Sequence, residues 1–147
     1  MGLQGSFSVP AQPRYSVAMS IDWLRRFCLS LPHATEQVQW DDALVFKVGG
    51  KMYAVARLEP GEHWLSLKCS VEEFVELVER SGIFPAPYLA RAHWIALESE
   101  VTLSRAELQQ LLTRAHALVF AKLPRKTRAA LSRKTASRHR HGRNKAT

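Results

Sequence analysis

The sequence has little cysteine and no long apolar run, and each shortage excludes a class of protein. Its 147 residues include two cysteines, Cys28 and Cys69, which show neither paired nor metal-ligand spacing. We therefore expect buried, reduced thiols, as in cytoplasmic proteins. No stretch approaches the roughly 18 apolar residues of a membrane span, and the N-terminus lacks the apolar segment of a secretory signal. These absences predict a cytoplasmic protein without a membrane partner.

Motifs of the common enzyme classes are also missing. No serine or cysteine stands in a nucleophile motif, and no glycine-rich phosphate loop follows a predicted strand. Asp41 and Asp42 are adjacent, so we expect solvated turn residues and not a converging general acid and base. The six histidines are scattered, and the closest pair, His139 and His141, lies among arginines that repel a divalent cation. We predict a protein without catalytic activity, metal or cofactor.

Acidic residues are absent from the last 24 positions, which hold nine lysines and arginines. Residues 1–123 carry the other 12 basic residues against all 13 acidic ones, so the net charge of +8 comes from the C-terminal segment. We assign a disordered N-terminal extension to residues 1–18, a single α/β domain to residues 19–123, and a basic, largely disordered tail to residues 124–147. A basic tail of this kind binds polyanions without a preformed groove.

Three amphipathic segments predict three helices. The first follows Met19, which is an alternative start to Met1, and Ser20 is positioned to cap it. The other two begin with capping boxes, in which a serine precedes a glutamate by three residues: Ser70 with Glu73, and Ser104 with Glu107. A short further helix is allowed around Leu131.

Branched and aromatic residues predict four strands, at residues 43–48, 51–58, 63–68 and 93–98. Gly49-Gly50 joins the first two as a hairpin, because a type I′ turn requires positive φ at both central residues. Residues 84–88 contain two prolines and are predicted as an edge strand or a loop. The elements indicate an α+β fold, an antiparallel sheet of about four to five strands packed against three helices.

Five stretches carry a resemblance to a known family. They are LPHATE at 31–36, VFKVGGKMYA at 45–54, LKC at 67–69, RAHWI at 91–95 and ALVFAKLP at 117–124. In this order, residues 19–127 resemble the MmcQ/YjbR family of small bacterial DNA-binding proteins. The chain departs from the family pattern at Tyr88–Arg91, which is less basic, and at His116, where a tyrosine is common.

The resemblance implies a fold like that of the bacterial frataxin homologue and a "double wing" contact, in which two β-hairpins reach duplex DNA. Iron binding is not expected, because frataxins use an acidic first helix where this chain has Arg25 and Arg26. If the hairpin around Gly49-Gly50 is a wing, Lys47 and Lys51 would meet the phosphate backbone. The alternative is that lysines at hairpin ends only keep strands soluble and unpaired.

Further candidates lie at strand ends. Lys68 and Arg91 have the same two interpretations as the hairpin lysines. His93 and Trp94 match the family and could contact phosphate or base, but alternation along a strand directs them to opposite faces. Trp94 is more often core in such a position, and Trp40 and Trp64 are predicted to be core as well. The tail adds five candidates for phosphate contact: Arg125, Lys126, Arg128, Arg133 and Lys134.

The sequence favours a non-enzymatic, monomeric DNA-binding protein that contacts phosphates through β-wings and a basic tail with low sequence specificity. The alternative is a protein-interaction or small-ligand-binding module with no nucleic-acid role, which a contiguous exposed apolar patch around Tyr88, Trp94 or Trp64 would favour. The two hypotheses differ in the placement of charge. DNA binding requires the cations of the domain to converge on one side, unpaired by carboxylates.

Overall fold

A computed structural model of the chain describes residues 21–59 and 61–134. The predicted N-terminal extension, the cap at Ser20 and the last part of the tail lie outside the described residues. The elements in chain order are α1 (residues 21–30), β1 (Ala34–Gln39), β2 (Ala43–Val48), β3 (Lys51–Arg57), β4 (Leu65–Lys68), α2 (Val71–Leu77), β5 (Ile83–Pro85), a 3₁₀ turn (Ala90–Ala92), β6 (Trp94–Leu97), α3 (Arg105–Lys122) and α4 (residues 125–134). In this part of the chain, no helix has the length and apolar character of a membrane span.

The strands form one antiparallel sheet in the order β1-β2-β3-β4-β6-β5. The predicted α+β class is confirmed, with six strands where four to five were expected and four helices where three were expected. The prediction missed β1 because its sequence ATEQVQ is mostly polar. As an edge strand it has three exposed and three half-buried residues and none that is buried, so it lacks the apolar signature of a central strand.

The β2–β3 hairpin is flanked on both sides within the sheet, since β1 pairs with β2 and β4 pairs with residues 54–56 of β3. Gly49 and Gly50 have φ values of 58° and 81°, as the predicted turn requires. Phe46 pairs with Ala54 while the next residue of β2 pairs with Met52, so Tyr53 is the extra residue of a β-bulge. Its hydroxyl donates to the Cys28 carbonyl at 3.0 Å and ties the hairpin to α1.

One face of the sheet packs against α1 and α3 and forms the main core. Leu24 and Cys28 of α1 are fully buried there, as is Leu112 of α3. Each buried leucine contributes about 1.5–3 kcal/mol to stability. Burial raises the pKa of Cys28 and of Cys69 to about 12, so both thiols stay protonated and unreactive.

Ser70 and Ser104 both cap helices as predicted, but of the two only Ser70 forms a complete capping box. The Glu73 N–H donates to Ser70 Oγ at 3.1 Å, and the Ser70 N–H donates back to the Glu73 carboxylate at 3.1 Å. Ser104 accepts from the Glu107 N–H at 3.1 Å. The Glu107 carboxylate accepts from Arg80 at 2.9 Å, which joins the start of α3 to the end of α2.

Candidate nucleic-acid interface

Four lysines from different elements line one groove at the end of the sheet that carries the β2–β3 turn. Lys47 is near the end of β2, Lys51 begins β3, Lys68 ends β4 and Lys122 ends α3. They are all the lysines of residues 1–123. The groove has a volume of about 430 Å³, and we call it the lysine groove.

Antiparallel pairing explains why these side chains meet. The end of β2, the start of β3, the end of β4 and the start of β6 all reach the same end of the sheet. Trp94, which is 4% exposed, lines the groove at the start of β6. The end of α3 approaches the hairpin so closely that a Cβ on Gly49 would lie 2.5 Å from Leu123 Cδ1. Glycine at this position therefore allows Lys122 to join the lysines of the sheet.

The lysine groove has no local negative charge. Among the described residues, no carboxylate lines it, and none forms an ion pair with its lysines. Lys47 Nζ donates to Gln37 Oε1 at 3.0 Å, and Lys68 Nζ donates to the Ala92 carbonyl. Burial lowers the pKa of Lys68, and the nearby charge of Lys122 lowers it further. A bound anion would reduce the repulsion between the charges of Lys68 and Lys122. The negative C-terminal end of the α3 dipole stabilises the charge of Lys122 only.

The arginines of the domain are placed differently. Four of them form ion pairs with carboxylates: Arg25 with Glu36, Arg57 with Asp42, Arg80 with Glu107, and Arg114 with Glu73. Asp42 lies in a turn, as predicted, and its partly exposed carboxylate is paired with Arg57. Partly exposed pairs like these contribute about 0–1 kcal/mol to stability, but they neutralise the cations involved. The lysine groove thus holds the largest group of cations without a carboxylate partner in the described domain, while Arg26 and Arg91 are exposed elsewhere.

Two other candidates lie outside the lysine groove. Arg91 is exposed on the 3₁₀ turn. His93 follows that turn with φ 63° and precedes β6, so the predicted strand starts one residue later. Its ring packs edge-on against Phe74 with 5.5 Å between centroids. The structure thus brings Lys47, Lys51 and Lys68 together and leaves Arg91 and His93 elsewhere.

All five tail candidates belong to α4: Arg125, Lys126, Arg128, Arg133 and Lys134. Pro124 lines the lysine groove and immediately precedes this helix. The basic tail thus begins at the rim of the groove, as an ordered helix over its first ten residues. The N-terminal end of α4, where the helix dipole is positive, is the part of this helix that lies nearest to Pro124 in sequence.

A second groove of about 530 Å³ adjoins the first, because Met52 lines both. Trp40, which is 64% exposed, and the fully exposed Tyr88 form part of its walls, so we call it the aromatic groove. The prediction that Trp40 is core is wrong, whereas Trp64 is buried as predicted. The aromatic groove also contains an ion-paired arginine and acidic and neutral polar side chains: Arg57 with Asp42, Glu62, His63 and Ser66.

Sequence reasoning missed Lys122 and Trp40 as residues that line these grooves, whereas Tyr88 was a candidate for the exposed apolar patch of the alternative function. Lys122 ends a long helix, and the available signal was that it is the one lysine of residues 1–123 outside the β-region. Trp40 and Tyr88 stand in turns with φ values of 51° and 65°. Bulky residues rarely adopt this left-handed conformation, so no local pattern predicts it.

The remaining titratable groups do not form a metal centre in the part of the chain that the structure describes. No group of three or more His, Cys, Asp or Glu side chains is arranged to bind a metal there. His116, at the position where the family commonly has tyrosine, is 7% exposed. Its Nε2 lies 2.7 Å from the Pro32 carbonyl oxygen, and burial lowers its pKa. It is a hydrogen-bonded core residue.

Comparison with known proteins gives one family match and three matching solved chains, two of which are described below. The model of the YjbR family matches residues 29–118. A Deinococcus radiodurans protein with the domain DUF419 shares 33% identity and a TM-score of 0.68, over 76% of this chain and 87% of its own. A Pseudomonas syringae protein, at 23% identity and a TM-score of 0.50 over 58% of this chain and 86% of its own, shares the fold. No curated protein matches the sequence.

Proposed function

This chain belongs to the YjbR family, and from that premise we propose that it is a non-enzymatic, cytoplasmic DNA-binding protein. It acts as a monomer and contacts the phosphate backbone with low sequence specificity. The proposal rests on one observation, the convergence of Lys47, Lys51, Lys68 and Lys122 on a groove without carboxylates. Flexible ammonium groups attract phosphate as point charges, and contacts to phosphate carry no base sequence directly.

The lysine groove replaces the wing in the predicted mode of contact. The central β2–β3 hairpin supplies two of the four lysines, while β4 and α3 supply the others. The phosphate backbone would therefore seat at the end of the sheet and not around a projecting hairpin. Low specificity follows because contacts to phosphate carry no sequence information directly.

The tail extends the same surface. Five of its cations belong to α4, which starts next to Pro124 at the rim of the lysine groove. A DNA backbone held in the groove can continue along these cations, so the groove and the tail contribute to one binding event. We expect the tail to supply most of the affinity and the groove to fix where the backbone lies.

The test compares the full chain with a variant in which Lys47, Lys51, Lys68 and Lys122 are all replaced by Gln. Binding to a short labelled duplex is measured by fluorescence anisotropy across a salt series. Loss of four phosphate contacts should reduce the slope of log K against log salt by about 3.6. An unchanged slope would show that the groove takes no part in binding.

The matched control removes charge elsewhere. Arg26→Gln neutralises an exposed cation of α1 that lines neither groove, and Lys122→Gln neutralises one inside the lysine groove. Both lower the net charge by one, so a general charge effect would weaken binding equally. We expect Lys122→Gln to reduce the salt slope by about 0.9 and Arg26→Gln to leave it unchanged.

A protein-interaction or small-ligand-binding module is the second candidate function. The aromatic groove favours it, because Trp40 and Tyr88 expose large apolar surfaces beside a concave site. Two results together would support this candidate over the first. The full chain would not bind DNA at low salt, and the quadruple lysine variant would still bind the native protein or small-molecule partner.

A further inference from the structure

We infer that the preferred ligand is single-stranded DNA, with its phosphates in the lysine groove and its bases in the aromatic groove. This inference rests on the proposed function, since it uses the same lysines for the backbone. It adds a second set of contacts that duplex DNA cannot make. Trp40 and Tyr88 carry these contacts.

The aromatic side chains are held in solvent at a cost. Trp40 and Tyr88 both have positive φ, a conformation that bulky residues rarely adopt. Each leaves most of its ring in water, with Trp40 64% exposed and Tyr88 fully exposed. Strain and exposure at two residues on one groove point to a role outside folding. An exposed aromatic ring provides a surface on which a base can stack.

The charges of the two grooves suit different parts of a nucleotide, the phosphate in one and the base in the other. The lysine groove attracts phosphate, whereas Asp42 and Glu62 in the aromatic groove repel it. The Asp42 charge is balanced by Arg57 at 2.8 Å, so the remaining charge of this groove is the negative charge of Glu62, which suits an uncharged base better than a phosphate. Carboxylates and hydroxyl groups can also accept hydrogen bonds from the exocyclic amino groups of bases.

The position of the grooves fits a continuous strand. Met52 lines both, so a ligand can pass from one to the other across β3. In a duplex the base faces are stacked on one another and unavailable to protein rings. Proteins that bind single strands combine a positively charged groove with aromatic platforms, which is the arrangement seen here.

The test measures binding of the full chain to a labelled oligothymidine and to a duplex of equal length. The variants are Trp40→Ala and Tyr88→Ala. Each should weaken binding to the single strand about tenfold and leave binding to the duplex unchanged. Trp40→Phe and Tyr88→Phe retain a stacking surface and should bind the single strand nearly as well as the unmodified chain.

Two controls separate stacking from folding. Val101→Ala removes an apolar side chain that is 82% exposed and lines neither groove, so it should change nothing. Thermal unfolding followed by circular dichroism checks that each variant is folded. If the alanine variants are folded and bind the single strand as tightly as the unmodified chain does, the inference is wrong and the lysine groove still stands. If the unmodified chain binds neither oligonucleotide at low salt, the proposed function itself fails.

Discussion

The lysine groove and the aromatic groove adjoin each other and have similar volumes, about 430 and 530 Å³, but they differ in how their charges are arranged. In the first, four cations stand together without a carboxylate. In the second, Arg57 is paired with Asp42, and Glu62 adds a further negative charge. The difference shows that two neighbouring parts of one sheet present opposite charge to a ligand.

The choice of basic residue follows the same division. Arginine forms four ion pairs with carboxylates across the domain, and lysine supplies the unpaired cations of the groove. The planar guanidinium suits fixed pairs with carboxylates, whereas a flexible ammonium can follow a phosphate whose position varies. Net charge alone conceals this, because the domain is almost neutral.

The largest expected effect tests the shape of the lysine groove, by a substitution that leaves its charge unchanged. Gly49→Ala places a Cβ 2.5 Å from Leu123 Cδ1 at a φ of 58°, and we expect it to lower the free energy of unfolding by about 3 kcal/mol. Gly50→Ala is the matched control, since its Cβ meets nothing within 4 Å at a φ of 81°, and should cost about 1 kcal/mol. Urea denaturation measures both. Equal costs would mean that Leu123 moves aside freely and that the close approach of α3 is unimportant.

A smaller effect of opposite sign is expected in the aromatic groove. Tyr88→Asn should raise the free energy of unfolding by about 1 kcal/mol, because asparagine tolerates the left-handed conformation better than tyrosine. The fully exposed ring has little packing to lose. The same variant should bind single-stranded DNA more weakly, so stability and binding change in opposite directions. Val101→Asn, at an exposed position outside both grooves, should change stability by less than about 0.5 kcal/mol. A destabilised Tyr88→Asn would show that the ring contributes to folding.

The third prediction concerns acid and the helix side of the sheet, away from both grooves. Burial holds the pKa of His116 below its ordinary value, which is about 6.5 in an unfolded chain. The unfolded state therefore takes up the proton first, and the stability due to neutral His116 is present above about pH 6.5 and lost as the pH falls. The free energy of unfolding, measured between neutral and mildly acidic pH, should fall less in His116→Gln than in the unmodified chain. Superimposable pH profiles would contradict this.

The smallest expected effect tests whether the lysines are close enough to interact. The charge of Lys122 helps to lower the pKa of Lys68, so Lys122→Gln should raise that pKa. Removal of a neighbouring positive charge favours the protonated form. Lys122→Arg keeps the charge and should leave the pKa of Lys68 nearly unchanged. Titration of the Lys68 side chain by NMR measures both, and equal pKa values in the two variants would show that the charges do not interact.

The parts of the fold that depend only on residues close together in the sequence could be predicted from it. The Gly49-Gly50 turn requires positive φ at both residues, and the Ser70 capping box closes within four positions. Strand β1 could not be recognised, because an edge strand buries too little to need an apolar pattern. The bulge at Tyr53 depends on a contact with Cys28, which lies 25 residues earlier.

The candidate site was predictable in part for the same reason. Lys47, Lys51 and Lys68 were identified because they stand at strand ends, and antiparallel pairing brings such ends together. Lys122 depends on the length and path of α3, which only the packed structure defines. The rule that large aromatic residues are buried failed for Trp40, because its turn holds the side chain in solvent.

The attachment of α4 at Pro124 has a consequence for avidity. Once a DNA backbone occupies the lysine groove, the cations of the tail are tethered at the rim of that groove. Their binding to the same DNA then becomes an intramolecular step with a high effective concentration. Two individually weak contacts can thus give a long residence time, because both must release before the ligand departs. A flexible linker inserted before Pro124 would reduce this advantage gradually as its length increases, without removing a single charge.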